Sequence, residues 1–361
     1  MGICDQFGVH CTSCASLPRL SPEGGRLYLF LPSDHAAAKV WEGFPEFPLV
    51  GNRNLRLEVA PGELAALLTR LGVLLTRNEC AQVRVLFKES SGEPGLEDMG
   101  RVTTLAELMA RSEGDWLIAL MQAERLTSFF QPIVEVARPS HIFAQEALLR
   151  GRDAQGGLVP PMRMFDAARE AGLLTALDQR ARSVALKEAA RAGLAQPLFL
   201  NVNPAAINDP ASCLQATLRQ IDAVGLRRDR VVLEIVETDR ARRPEDLLSL
   251  RDYCRREGVR IALDDFGAGY SSVTLLHRLR PDFVKLDLEL VRNVHQDRYK
   301  AAIVSRLLDL CRSLGILTVA EGIESEAELL WFRTHGADLA QGYLFAKPSP
   351  FPASSAIALH R

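Results

Sequence analysis

Two hydrophobic rhythms alternate along most of this chain. Short apolar runs rich in Val, Ile, Leu and Phe read as strands at 128–135, 142–149, 197–202, 230–236, 259–264, 282–287, 316–320 and 339–343. Amphipathic stretches with helical spacing fill the gaps, as at 176–192 and 299–314. Eight strands alternating with helices over about 240 residues predict an α/β fold of the TIM (β/α)8 type. An open dinucleotide-binding sheet fits less well, because no GxGxxG turn follows a strand.

The first part of the chain has a different pattern. RLYLFL (26–31) and QVRVLF (82–87) read as strands, and 34–42 and 61–77 as helices. The polar stretch KESSGEPGLEDMG (88–100) reads as a linker, and a helical segment follows over 105–125. The expected organisation is a small α+β domain with a regulatory or sensor role over 1–100, then a barrel over 101–361.

The chemistry lies where the apolar runs end. Residues 261–265 close on the adjacent carboxylates Asp264 and Asp265, just before the turn Phe266-Gly267-Ala268-Gly269. Similar ends occur at Phe143–Glu146, Leu198–Asn201, Val231–Glu234, Phe283–Asp287 and Ile316–Glu321. Barrel chemistry sits at the C-terminal ends of strands. The candidate set is therefore Glu146, Asn201, Glu234, Asp264, Asp265, Lys285, Asp287, Glu321 and Gln341. Like charges at ~4 Å repel by about 1 kcal/mol even in bulk water, and by more at lower effective dielectric. Two divalent cations, about 3.5–4 Å apart, relieve that repulsion and can clamp a phosphoryl group for attack by water. The hard oxygen donors favour Mg²⁺ or Mn²⁺ over Zn²⁺, and Lys285 supplies a fixed positive charge. Taken singly, Asp264-Asp265 reads as a helix cap, Lys285 as a salt-bridged surface lysine, and Glu237 and Asp239 as solvated acids.

Composition adds exclusions. A net charge of −2 argues against DNA binding and against a polybasic membrane contact. No apolar run approaches the roughly 18 residues that span a bilayer, and no secretory signal is recognisable at the N-terminus. With seven cysteines, an odd number, four of them scattered singly, a disulfide framework is not expected, and a cytoplasmic location is. Cys4, Cys11 and Cys14, with His10, leave three readings open: a structural zinc site, a redox-sensing thiol cluster, or ordinary terminal cysteines. Cys80, Cys213, Cys254 and Cys311 read as small buried hydrophobes.

Eight segments together resemble one family. FFQPIV (129–134), EALLR (146–150), FLNVNP (199–204), LEIVET (233–238), DDFGAGYSS (264–272), DFVKLD (282–287), AEGIE (320–324) and QGYLFAKP (341–348) look like the EAL cyclic di-GMP phosphodiesterases. The resemblance spans residues 115–361. It implies a modified (β/α)8 barrel with an antiparallel first strand, two Mg²⁺ or Mn²⁺ ions, and hydrolysis of cyclic di-GMP to linear pGpG.

By position, the resemblance makes Glu146, Asn201, Glu234 and Asp264 ligands of one metal, with Asp264 bridging to a second that Asp265 also holds. Glu321 matches a general base or metal ligand, Lys285 a lysine on the catalytic water, and Gln341 a glutamine near the metal waters. Leu148, Arg150, Gln131, Asp287 and Pro348 match the substrate side. Phe266, Gly267, Ala268, Gly269, Tyr270, Ser271 and Ser272 correspond to a regulatory loop held by Glu324, which in the family couples the metals to homodimerisation through the barrel. Ala268 departs from the usual Thr, Asn203 from Ser, and Gly151 from an aromatic residue, and none of these removes a metal ligand. Two alternatives stand beside an active phosphodiesterase: an inactive EAL domain that binds the nucleotide or a protein, and an unrelated two-metal barrel enzyme.

Overall fold

A computed structural model describes residues 24–45, 53–89, 94–204, 210–236, 244–267 and 272–353. These form two compact units. One contains the residues up to Arg125 together with Met162–Leu177, and the other contains Leu126–Pro161 and everything from Asp178 onward. The expectations placed on Cys4, His10, Cys11, Cys14, Glu237, Asp239, Ala268, Gly269, Tyr270 and Ser271, and on the burial of Cys213, fall outside what the structure describes.

The smaller unit is a four-stranded sheet with helices. Its elements are β1 (Gly25–Phe30), α1 (Asp34–Gly43), β2 (Asn54–Val59), α2 (Leu64–Leu74), α3 (Arg77–Gln82), β3 (Arg84–Lys88), β4 (Thr103–Thr104), α4 (Leu105–Glu113) and α5 (Asp115–Gln122). Every pairing is antiparallel, in the order β2-β1-β3-β4. Period-2 alternation sends Leu27 and Leu29 of β1, Leu55 and Leu57 of β2 and Val85 of β3 into one core with Val40, Leu68 and Leu71 of the helices. Capping boxes, Thr76 with Glu79 and Thr104 with Glu107, start α3 and α4.

The polar stretch that ends at residue 100 lies within the smaller unit, which runs on to Arg125. Residue 100 ends a polar stretch, yet Thr103–Thr104 returns to pair with β3, and Leu105 is fully buried in the small core. The stretch is anchored as well: Lys88 Nζ meets Asp98 Oδ2 at 2.6 Å, both side chains buried.

The larger unit is a closed barrel. Its strands are β5 (Leu126–Glu135), β6 (Ile142–Arg152), β8 (Leu198–Val202), β9 (Val231–Val236), β10 (Arg260–Phe266), β11 (Phe283–Leu286), β12 (Leu317–Ala320) and β13 (Leu339–Ala340), with a short β7 (Leu158–Val159) extending β6. Helices α6 (Pro161–Glu170), α7 (Leu174–Arg191), α8 (Pro210–Ala223), α9 (Pro244–Glu257), α10 (Ser272–Leu279), α11 (Leu288–Val291), α12 (Arg298–Ser313) and α13 (Glu326–His335) lie between strands in sequence, α6 and the start of α7 belonging to the smaller unit. Strands β6 and β8 to β13 are mutually parallel, and β5 runs antiparallel to both of its neighbours, β6 and β13, closing the ring. Among the described residues no helix is long and apolar enough to cross a membrane.

One inward residue from each barrel strand packs into a single apolar layer: Ile133, Ala144, Phe199, Val232, Ala262, Phe283, Val319 and Leu339. The intervening residues, such as Leu200, Leu233, Leu263 and Leu286, face the helices in the main core. Both faces of the strands are therefore buried, which is why they read as continuous apolar runs. The layer closes the barrel as a solid plug, and its alternation fixes what stands above it.

Candidate active site

Two residues beyond each layer position, the same inward face is reached again. Counting forward along the parallel strands from Ala144, Phe199, Val232, Ala262, Phe283, Val319 and Leu339 gives Glu146, Asn201, Glu234, Asp264, Lys285, Glu321 and Gln341. Counting back from Ile133 on the antiparallel β5 gives Gln131. Every strand thus contributes one polar side chain to a ring at the C-terminal mouth. Gln131, which the resemblance places on the substrate side, is a member of this ring.

Lys285 is the hub. Its Nζ lies 2.7 Å from Glu234, 2.8 Å from Glu321, 3.0 Å from Asp264 and 3.6 Å from Glu146, and its side chain is 1% exposed. The amides tie the remaining edges. Asn201 Nδ2 donates to Glu146 Oε1 at 3.2 Å, and Gln341 Nε2 donates to Glu146 Oε2 at 2.7 Å and to Gln131 Oε1 at 3.0 Å. Gln131 Nε2 in turn donates to the Ala346 carbonyl at 3.1 Å, and the chain continues through Pro348 to Ser349, which bridges to Phe130 of β5.

Asp264 and Asp265 are consecutive, so strict alternation would send them to opposite faces. The ladder with β11 slips here: Leu263 pairs with Val284 but Phe266 with Leu286, leaving an extra residue on β10. Asp265 takes φ +51°, a left-handed conformation that costs a non-glycine residue energy and is found at functional sites. As a result, carboxylate oxygens of Asp264, Asp265 and Glu321 come within 4.8 Å of one another.

The electrostatics follow from five carboxylates meeting one ammonium. Burial, with Glu146 and Asp264 as neighbours, holds Glu234 well above the ordinary carboxylate range despite Lys285. Burial likewise raises Glu321 well above that range and raises Asp264, against the pull of Lys285. Asp265 is pushed up to about 6 by burial and by Asp264. Glu146 is the exception: burial is outweighed by Lys285 and by the Gln341 and Asn201 amides, which hold it low. Burial opposes the Lys285 ammonium, but Asp264 and the three glutamates keep it charged well beyond its usual range. Most of these acids therefore favour a proton in the absence of a better cation.

The donor set fits a hard divalent ion. All of its ligand atoms are oxygens, and two buried acceptors, Glu234 Oε2 and Gln341 Oε1, make no hydrogen bond. Asp264, Asp265 and Glu321 are the one group of three among the described residues able to hold a metal.

Other expected positions take these places. Leu148 and Arg150 share the strand face of Glu146, and Arg150 lies over the Phe129 ring at 5.4 Å. Asp287 caps α11, its Oδ1 accepting from Glu289 N at 2.8 Å. Glu324 is paired with Arg292. Phe266 is buried, Gly267 follows it at φ +106°, and Ser272 opens α10. Buried Cys80, Cys254 and Cys311 behave as small hydrophobes, with the Cys254 thiol pushed up to about 12 by burial.

Two supports escape the sequence pattern. Asp178 Oδ1 accepts from Asn203 N at 3.0 Å, pinning the backbone just past Asn201, and is itself paired with the buried Arg182. Their i,i+4 spacing on α7 looks like an ordinary surface pair. The second support is Gly342. A Cβ there would lie 2.1 Å from the Ile323 carbonyl oxygen and 2.3 Å from its nitrogen. This close approach lets Gln341 O accept from Ile323 N at 3.0 Å, locking the Gln341 turn to the loop that carries Glu321. Gly342→Ala is expected to cost about 3 kcal/mol through backbone overpacking. Chemical denaturation would show a midpoint well below wild type, and an unchanged midpoint would refute the clamp.

Fold and site together define a (β/α)8 barrel protein with an acidic mouth suited to divalent cations. The chain belongs to the EAL domain family, whose profile matches residues 114–348. An uncharacterized signaling protein of Caulobacter vibrioides is 33% identical over 225 residues, 62% of this chain and 27% of its own length. The probable cyclic di-GMP phosphodiesterase PdeG of Escherichia coli (strain K12) is 31% identical over 227 residues, 62% of this chain and 44% of its own. The chain thus spans less than half the length of these relatives. A standalone versatile EAL protein from Vibrio cholerae O395, solved with c-di-GMP bound, superposes with TM-score 0.58 at 33% identity, covering 63% of this chain and 94% of that one.

Proposed function

We propose that this protein hydrolyses one phosphodiester bond of cyclic di-GMP to give linear pGpG, with two Mg²⁺ or Mn²⁺ ions as cofactors. The observation that carries the reading is the complete polar ring at the mouth, one member per strand, with Lys285 at its centre. Glu146, Asn201, Glu234 and Asp264 would hold one cation, and Asp264 with Asp265 and Glu321, whose carboxylate oxygens already lie close together, would hold the second, with Gln341 at the same mouth. When bound, the ions supply Lewis acidity at the phosphoryl oxygens and lower the pKa of an attacking water.

The protein does the rest. Glu321 accepts the proton of the attacking water, and Lys285, fixed by its carboxylate neighbours, orients that water and offsets charge building on the phosphoryl group. Arg150 and Leu148, on the strand face of Glu146, contact substrate, together with Gln131, Asp287 and Pro348. The N-terminal unit is a regulatory domain in this scheme. The 266–272 loop, with Glu324, links the site to homodimerisation.

Purified protein incubated with cyclic di-GMP and Mg²⁺ or Mn²⁺ is expected to release pGpG, and EDTA to stop the release. Nucleotide binding without turnover in either metal would overturn the hydrolase assignment in favour of a receptor.

A further inference from the structure

The barrel has a second concavity at the end opposite the mouth. A cavity of about 750 Å³ is lined by His141, Phe143, Arg227, Asp229, Arg230 and Arg260, all at or just before the N-terminal ends of the barrel strands, together with the chain preceding β8. The apolar layer of Phe199, Val232, Phe283 and their partners separates it from the acidic ring.

Its charges are not balanced. Arg227 is neutralised by Asp229, with Nη2–Oδ2 at 2.5 Å and Nε–Oδ1 at 3.0 Å. His141 faces Glu135, which Arg138 also pairs. Among the described residues Arg230 and Arg260 form no direct ion pair with a carboxylate, although Arg260 is near enough to Asp229 to add to Arg227 in holding that carboxyl low. Arg230 donates to the Ala195 carbonyl, and Arg260 lies over the Phe283 ring at 5.4 Å. Moreover, Arg260 Nε is buried without a hydrogen-bond partner. An unmet buried donor on a guanidinium costs about 1–3 kcal/mol or more, and stability alone does not explain it. Guanidinium forks match the geometry of phosphate oxygens, and the volume falls in the range of small-ligand sites.

We propose that this open concavity at the N-terminal end of the barrel is a binding site for a small phosphate-bearing anion, held by Arg230 and Arg260. TIM-barrel chemistry is confined to the other face, so the site binds a ligand and carries no second reaction.

Inorganic pyrophosphate is the probe, titrated into the whole protein by calorimetry with EDTA present, so that no cation at the mouth can hold it. Saturable 1:1 binding is expected, weakened at least about tenfold (about 1.4 kcal/mol) in Arg260→Gln and in Arg230→Gln. Arg260→Gln loses the contact with the Phe283 ring together with the unmet Nε, two effects of opposite sign, so its melting temperature should stay within a few degrees of wild type. Arg230→Gln tests the site independently if the first variant fails to fold. Arg84→Gln, an exposed arginine of the small sheet, should bind like wild type. No saturable binding at millimolar pyrophosphate, binding unchanged in both cavity variants, or equal weakening by Arg84→Gln would each overturn the site.

Discussion

Replacing Glu321 by alanine is expected to reduce cyclic di-GMP turnover by about 10³-fold or more while leaving nucleotide binding measurable. General-base catalysis alone is worth about 10²–10⁴-fold. The Glu321 carboxylate also belongs to the group with Asp264 and Asp265 that can hold a cation, so one substitution removes two contributions. Binding should survive because the residues proposed to contact substrate, Leu148 and Arg150 of β6 and Gln131 of β5, stand on other strands. The fold should survive too. Glu321 lies just past the end of β12, and its loop stays clamped through Ile323 and Gly342. Single-turnover kinetics beside a binding isotherm makes the comparison. Cleavage by the alanine variant at close to the wild-type rate would remove Glu321 from the chemistry. Loss of binding and turnover together would make it a structural residue of the mouth.

Much of the barrel is legible in the sequence because its strands are buried on both faces. Val231–Val236 and Phe283–Leu286 carry almost no polar interruption until the mouth. The positions of the chemistry follow from the same physics, since an apolar inward residue followed two places later by a polar one marks a strand that ends at a site. Gln131 is harder to assign, because β5 runs the other way and the count must be taken backward from Ile133. Asp265 is harder still. Period-2 logic sends it away from Asp264, and only the slipped ladder and the left-handed backbone bring it back.

The small unit is less legible. Asn54–Val59 is a short strand whose outward positions carry Asn, Arg and Glu, which mutes its signal. The two-residue β4 has no hydrophobic pattern at all, so nothing in the sequence ties the chain after the polar stretch to the small sheet. Asp178 and Arg182 look like a surface pair until α7 is placed and both prove to be buried.

The strongest physical signature of the mouth is its competition between protons and cations. Glu234, Asp264, Asp265 and Glu321 all have folded-state pKa values above their ordinary range, Asp265 at about 6. A raised carboxyl binds its proton more tightly in the folded state. Its contribution to stability is therefore fully present below the unfolded pKa of about 4 and is lost as pH rises through the folded value. For Asp265 that window runs from about 4 to about 6, and for Glu234 and Glu321 the contribution is likewise lost as pH rises through their raised folded values. Glu146, held low, works in the opposite direction but is one group against four. Protein stripped with EDTA should consequently melt at a lower temperature at pH 8 than at pH 5. Mg²⁺ or Mn²⁺ should reverse this, because a cation replaces the protons and binds the deprotonated ring. At a hundredfold excess over Kd a bound cation adds about 2.7 kcal/mol. For a domain of this size that corresponds to a rise in melting temperature of roughly 5–10 °C. The rise should be several-fold smaller at pH 5, where protons hold the same oxygens. Lys285→Met sharpens the contrast: with the ammonium gone, only protons or metal ions can offset the buried carboxylates, so the metal-free variant should lose stability with pH more steeply than wild type. A metal-induced shift as large at pH 5 as at pH 8 would mean that the cations bind somewhere other than this ring.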